Sequence, residues 1–243
     1  MKSFEIITIL LTAGSLLSLF FYRSKGPFLY LLFLAAIAAI VQYLSDGLRW
    51  QMLAAIYILP AMFITYKYKI VNRFTGTILG AWFLISAFIP WAVPVFTMPA
   101  PEGDFSIGSE TFHWVDSSRL EWFTDENDND VREIMVQAWY PSENSDSIGT
   151  NSYMDFMNLR SKTLASAGKI PAFLPSHLNM ISTNTRNDVA CSNKLEKYPV
   201  LIFSHGITGS RHLHQILFEH LASKGYIVFA LDHSFDANLT IFP

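Results

Sequence analysis

Residues 200–210, Val-Leu-Ile-Phe-Ser-His-Gly-Ile-Thr-Gly-Ser, set a continuous apolar run directly before a His-Gly turn. A strand that ends in a glycine-bearing turn and opens a helix presents backbone N–H groups at the carboxyl edge of a sheet. Those donors suit a developing negative charge, and three readings of residues 205–209 stand side by side. The turn is half of an oxyanion hole for ester or amide hydrolysis, or a phosphate cradle, or a tight bend that Gly206 and Gly209 merely permit. Neither G-x-G-x-x-G nor the P-loop pattern with its Lys occurs, which weighs against phosphate.

The nucleophile such a hole would serve is not expected within this chain, since G-x-S-x-G occurs nowhere in it. Ser204 has Gly206 two residues on, but Ile202 two residues before, where a nucleophile elbow needs a small residue, and its helix starts too late. Ser210 has Thr208 and His212 where the two glycines belong, and an N-cap role suits it better. Asp232 and His233 close the next strand; loop hydrogen bonding is expected of them, not triad duty. His113, His177, His212, His214 and His220 form no metal-ligand set, and His212 and His214, two apart, share no helix face. Residues 125–130 are rich in oxygen ligands but carry Asp130 and Val136 where an EF-hand needs Gly and Glu, so a solvated hairpin connection is expected. The single Cys191 excludes an internal disulfide framework and a thiolate zinc knuckle. No metal and no cofactor is expected.

The elements that must hold the turn follow from periodicity. Residues 200–203 read as a strand buried on both faces of a parallel sheet. A helix is predicted over 210–224, with Leu213, Ile216, Leu217 and Leu221 on one face and Gly225 at its C-terminal cap. Residues 227–231 are a second buried strand, which completes one βαβ unit. Residues 111–115 and 134–140 alternate as strands, and the Ser-, Asn- and Thr-rich stretch 141–197 reads as a covering segment with one short helix near 153–166.

Composition separates this back part from the front. Of 243 residues, 51% are hydrophobic and only 15% charged, against roughly 25% charged in soluble domains. Residues 1–100 hold 7 basic and 2 acidic residues, and residues 101–243 hold 10 and 18, so the halves carry +5 and −8. Disorder and nucleic-acid binding are poorly served by such a chain. Apolar runs at 6–22, 28–43, 51–66 and 77–96 contain no Asp, Glu, Lys or Arg. Each approaches the length a helix needs to cross ~30 Å of hydrocarbon, and none shows the polar face a soluble bundle requires. Four membrane spans are therefore predicted within residues 1–100. Arg23, Lys25, Lys67, Lys69 and Arg73 lie in the first and third gaps, which places those gaps in the cytoplasm and residues 101–243 outside it.

Three separated segments then resemble one family. Residues 132–141 (Arg-Glu-Ile-Met-Val-Gln-Ala-Trp-Tyr-Pro), 198–210 (Tyr-Pro-Val-Leu-Ile-Phe-Ser-His-Gly-Ile-Thr-Gly-Ser) and 221–233 (Leu-Ala-Ser-Lys-Gly-Tyr-Ile-Val-Phe-Ala-Leu-Asp-His) are similar, in that order, to the platelet-activating-factor acetylhydrolase family of α/β-hydrolases. The resemblance covers about residues 103–243. It implies metal-free, serine-dependent hydrolysis of ester bonds, typically short acyl chains on phospholipids. It also implies that the Ile207 backbone N–H is one oxyanion donor, in a loop shaped by His205 and Gly206. The family's Ser, Asp and His come later than any position in this chain.

The expected architecture is thus a transmembrane helical module over 1–100, then the N-terminal part of an extracytoplasmic α/β-hydrolase domain over 101–243. The expected function is that of a multi-pass, membrane-anchored serine ester hydrolase without its nucleophile, inactive as given. Its expected partners are the bilayer and an ester or phospholipid substrate, with no nucleic acid. The alternative is a non-catalytic polytopic membrane protein whose outer segment binds a lipid or a partner.

Overall fold

The computed structural model describes residues 2–21, 26–124, 127, 129–143, 151–187 and 189–243. The chain divides into two units, Met1–Val95 and Phe96–Pro243.

The first unit holds α1 (Ser3–Phe21), α2 (Gly26–Asp46), a 3₁₀ turn (Trp50–Met52), α3 (Leu53–Lys67) and α4 (Arg73–Ala92). Three helices, α1, α2 and α4, are long and apolar enough to cross a membrane. This corrects the expectation of four. The chain leaves α2 through Gly47, at φ +78°, and spends residues 50–52 on the 3₁₀ turn. α3 therefore has only 15 residues, or about 22 Å at 1.5 Å per residue. Asn72 starts α4 as a side-chain cap, accepting from the Thr75 N–H at 3.0 Å while Thr75 returns the bond. Arg23 and Lys25, part of the orientation reading, lie outside the described residues.

This unit is inside-out by the standard of a soluble bundle. Glu5, Thr8, Thr12, Ser15 and Ser18, spaced three or four apart on α1, are all buried. Ile6, Ile7, Leu10, Leu17 and Phe21 of the same helix are exposed. Spacing of three and four puts the polar residues on one stripe, so α1 turns its polar stripe inward and its apolar surface outward. Arg49 pairs with Glu5, both side chains fully buried, and Lys2 reaches Asp46 at 2.8 Å.

The second unit is a five-stranded sheet in the order β3-β1-β2-β5-β4. Its strands are β1 (Ser106–Leu120), β2 (Val131–Ser142), β3 (Thr185–Arg186), β4 (Val200–Ser204) and β5 (Ile227–Asp232); α5 (Met157–Gly168) and α6 (Gln215–Ser223) complete it. β1 and β2 are an antiparallel hairpin, β2 pairs antiparallel with β5, and β5 pairs parallel with β4. Residues 125, 126 and 128 of the acidic hairpin connection lie outside the described residues.

Three expectations change here. β4 is an edge strand, and Val200, Leu201 and Ile202 are exposed, Ile202 at 73%. Its apolar run has the composition of a doubly buried strand, yet these three side chains are not covered by elements packed on the faces of the sheet. α6 begins at Gln215, five residues later than predicted, and its inward residues are Gln215, Phe218, Glu219 and Ala222. Leu213, Ile216 and Leu217 face outward instead. Phe218 packs inward, its ring 5.0 Å from Trp139 and 4.9 Å from Phe203, a cluster that favours this rotation, while Leu221 of the predicted face still packs against the same core. Finally, His214 stands at the α6 N-cap, while Ser210 accepts from the His212 N–H at 3.3 Å in the turn before it. Gly225 takes φ +94° just past the helix, as a C-terminal glycine should.

Candidate active-site loop

Strands β4 and β5 run in the same direction, with Ser204 opposite Leu231, so their carboxyl ends lie side by side. Residues 205–214 leave β4 there and lead into α6. Within that turn Gly206 C=O accepts from His205 Nδ1 at 2.8 Å and from the Gly209 N–H at 2.9 Å. The Thr208 N–H donates to Asp236 C=O, and Gly209 C=O accepts from the Asn238 N–H, each at 2.8 Å. Neither the Gly206 nor the Ile207 N–H donates to any acceptor among the described residues. Ile207 is 86% exposed. The turn thus offers two unclaimed donors at the sheet's carboxyl edge.

The two glycines serve differently. A Cβ on Gly209 would sit 2.8 Å from both Gly206 C=O and His205 Cβ, so the close crossing of the loop requires glycine there. A Cβ on Gly206 would meet nothing within 4 Å. The left-handed backbone falls on Thr208, at φ +60°, not on either glycine. The glycine at 206 is therefore not demanded by the turn; it leaves open the space beside the free N–H groups.

The sequence candidates gather unevenly at this edge. Ser204 Oγ lies 2.6 Å from His233 Nε2, and the His233 N–H donates to His205 Nε2 at 3.1 Å. A hydroxyl this close to an imidazole shares the geometry of a nucleophile and its base. No carboxylate orients His233, however: among the described residues none lies within ion-pair distance of its ring. Asp232 turns the other way. Its Oδ1 accepts from the Arg211 N–H at 2.7 Å, and its Oδ2 from the Arg211 guanidinium.

That turn opens a buried network that sequence reasoning missed. Arg211 also reaches Asp155, Arg160 Nε donates to Asp155 Oδ1 at 2.8 Å, and Arg160 Nη2 lies 3.7 Å from Asp232 Oδ2. Arg160 Nη1 further donates to Leu239 C=O at 2.8 Å. His212 lies beside this network, 3.6 Å from Asp155 Oδ1. Burial, then the Arg211 and Arg160 guanidiniums, hold its pKa well below the ordinary value. The network joins the covering segment, the loop and the end of β5. Asp155 and Arg160 fall in the stretch 153–166 read as a short helix of the covering segment, and nothing in its sequence ties them to Arg211 or Asp232.

The remaining histidines are scattered. His113 pairs with Glu133, His177 Nδ1 lies 2.7 Å from Leu174 C=O, and the His214 ring sits 5.1 Å from Phe203. Among the described residues no cluster of His, Cys, Asp or Glu could hold a metal ion.

The second unit is thus a mixed α/β domain with two unclaimed N–H groups at the carboxyl ends of its parallel strands. A family model described as platelet-activating factor acetylhydrolase, isoform II, matches residues 93–242, and the chain belongs to that family. Platelet-activating factor acetylhydrolase of Cavia porcellus is 29% identical over 145 residues, which are 56% of this chain and 29% of that protein. The chain therefore spans about three tenths of the length of this curated relative. A ferulic acid esterase structure from Streptomyces cinnamoneus matches with a TM-score of 0.48 at 30% identity, over 61% of this chain and 39% of that one.

Proposed function

We propose that the chain supplies the oxyanion-loop half of a membrane-anchored ester hydrolase acting on short-acyl or phospholipid esters. The observation that carries this is the unclaimed, outward N–H of Ile207 at the carboxyl edge of β4 and β5. A tetrahedral intermediate of acyl transfer places negative charge on the former carbonyl oxygen, and a preorganised backbone donor stabilises it at no cost in side-chain ordering. His205 and Gly206 shape the loop, and the nucleophile is supplied by a segment other than those in this chain. Membership of an acetylhydrolase family supports the reaction class. The experiment is turnover of a short-chain ester with and without the donor, in Ile207→Pro, using a form of the enzyme that carries the nucleophile.

The anchoring is supported by the inside-out first unit, which suits hydrocarbon and not water. An outside placement of the hydrolase unit is supported by the flanks of α4: Lys67, Lys69 and Arg73 precede it and the acidic segment follows it, the pattern of a helix running outward from the cytoplasm. With α1, α2 and α4 as the spans, Arg23 and Lys25 fall on the opposite side from these residues, so the reading rests on the α4 flanks alone.

A second reading has its own support. Leu213, Ile216 and Leu217 on the outer face of α6 meet residues 99–102 in a groove of about 530 Å³. A non-catalytic membrane protein would use such a groove to bind a lipid or a partner. Absence of ester turnover in every longer form of the chain would favour it.

A further inference from the structure

The Gly206–Ile207 peptide is a single planar trans unit, so its C=O and its N–H point in opposite directions. Two donors hold the Gly206 carbonyl toward the body of the loop, His205 Nδ1 at 2.8 Å and the Gly209 N–H at 2.9 Å. The Ile207 N–H must then face the other way, into open space. A carbonyl only accepts, which makes Nδ1 of His205 the protonated nitrogen. The His233 backbone N–H only donates, which makes Nε2 of His205 the bare one, at 3.1 Å. The His233 ring is in turn tied to Ser204 Oγ at 2.6 Å.

We infer that Ser204, His233 and His205 form a positioning chain that fixes which face of the Gly206–Ile207 peptide is offered to the substrate; the inference rests on the oxyanion reading of Ile207. None of the three touches reacting atoms. Ser204 is the last residue of β4, and His233 follows the last residue of β5. The chain of contacts therefore refers the loop to the two strand ends, the most regular backbone nearby. Its importance lies in what a peptide flip would do. Rotating this unit by half a turn puts the Gly206 carbonyl oxygen where the N–H had been, and a donor for an oxyanion becomes a partial negative charge facing one. His205 opposes the flip because only its Nδ1-protonated form satisfies both the carbonyl and the His233 N–H. Ser204 thereby acquires a role that its sequence context denies it as a nucleophile.

The test is nuclear magnetic resonance on residues 1–243 in lipid nanodiscs, with ¹⁵N-labelled histidine and glycine. In the unsubstituted chain His205 should carry its proton on Nδ1, and the amides of Gly209 and His233 should exchange slowly with solvent. His205→Asn sets an amide where Nδ1 stood and leaves nothing at Nε2. It should keep Gly209 slow while the His233 amide exchanges faster. His205→Ala should speed both by at least about fivefold, the worth of one ordinary hydrogen bond. A proton on Nε2 in the unsubstituted chain, or a Gly209 amide equally slow in His205→Ala, would overturn the positioning chain. None of these signals depends on ester turnover. Full turnover in Ile207→Pro beside the expected tautomer would therefore sink the oxyanion reading alone.

Discussion

The carboxylate of Asp232 holds Arg211 twice, accepting from its backbone N–H at 2.7 Å and from its guanidinium, with both side chains buried. One contact pins the loop backbone at Arg211, and the other fixes which way its side chain enters the unit. Removing the carboxylate leaves Arg211, and Arg160 beside it, as buried cations with one fewer counter-charge. Asp232→Ala should cost about 3–5 kcal/mol of stability. Asp232→Asn keeps an acceptor for the N–H and should cost less. Denaturant unfolding of the two variants checks the order.

His212 makes the second unit sensitive to acid. Its folded pKa lies well below the ordinary value of 6.5, through burial first and the two guanidiniums next. Below about 6.5 the unfolded chain binds a proton that the folded chain does not, so stability rises with pH up to that value and falls as pH drops beneath it. His212→Gln should flatten this dependence between about pH 5 and 7. Thermal unfolding over that range is the measurement, and an unchanged slope would refute the assignment.

The chain 1–243 should release no acid from short-chain esters and take up no fluorophosphonate probe. Ser204 has an imidazole partner but neither an elbow nor an orienting carboxylate. Stoichiometric labelling abolished by Ser204→Ala would reverse this.

Where the nucleophile is present, Ile207→Pro deletes the donor by removing the N–H itself. One such donor is worth roughly 10²–10³ in turnover, so kcat should fall at least about tenfold while KM moves far less. Ile207→Ala keeps the N–H and should act nearly as the parent does.

Orientation is open to the chain's own thiol. Cys191 is exposed, with its pKa raised by partial burial, so labelling calls for mildly alkaline buffer. A membrane-impermeant maleimide should modify it in intact cells, and Cys191→Ser should abolish the signal. Modification only after lysis would put the second unit in the cytoplasm.

The two parallel strands and the turn between them were legible because two short apolar runs, 200–203 and 227–231, stand a helix's length apart with a glycine-bearing turn after the first, the pattern of a βαβ unit. The inward face of α6 was not. Leucine counting favoured Leu213, Ile216 and Leu217, while the fold used Phe218, whose aromatic partners Trp139 and Phe203 come from distant strands. The Asp155, Arg160, Arg211 and Asp232 network was invisible for the same reason, since its members are joined only across the fold. The third helix showed a further limit. Hydropathy located its apolar run but not the point at which the helix would start.

Hydrocarbon offers no apolar driving force between helices, because lipid tails are as oily as leucine. The Glu5–Arg49 pair is thus the kind of contact that gives the first unit a single register. Replacing both partners, as in Glu5→Gln with Arg49→Leu, removes the pair without stranding a buried charge. On the membrane reading such a variant should still insert, with helices free to slide and rotate against one another and no fixed address within the bilayer's plane.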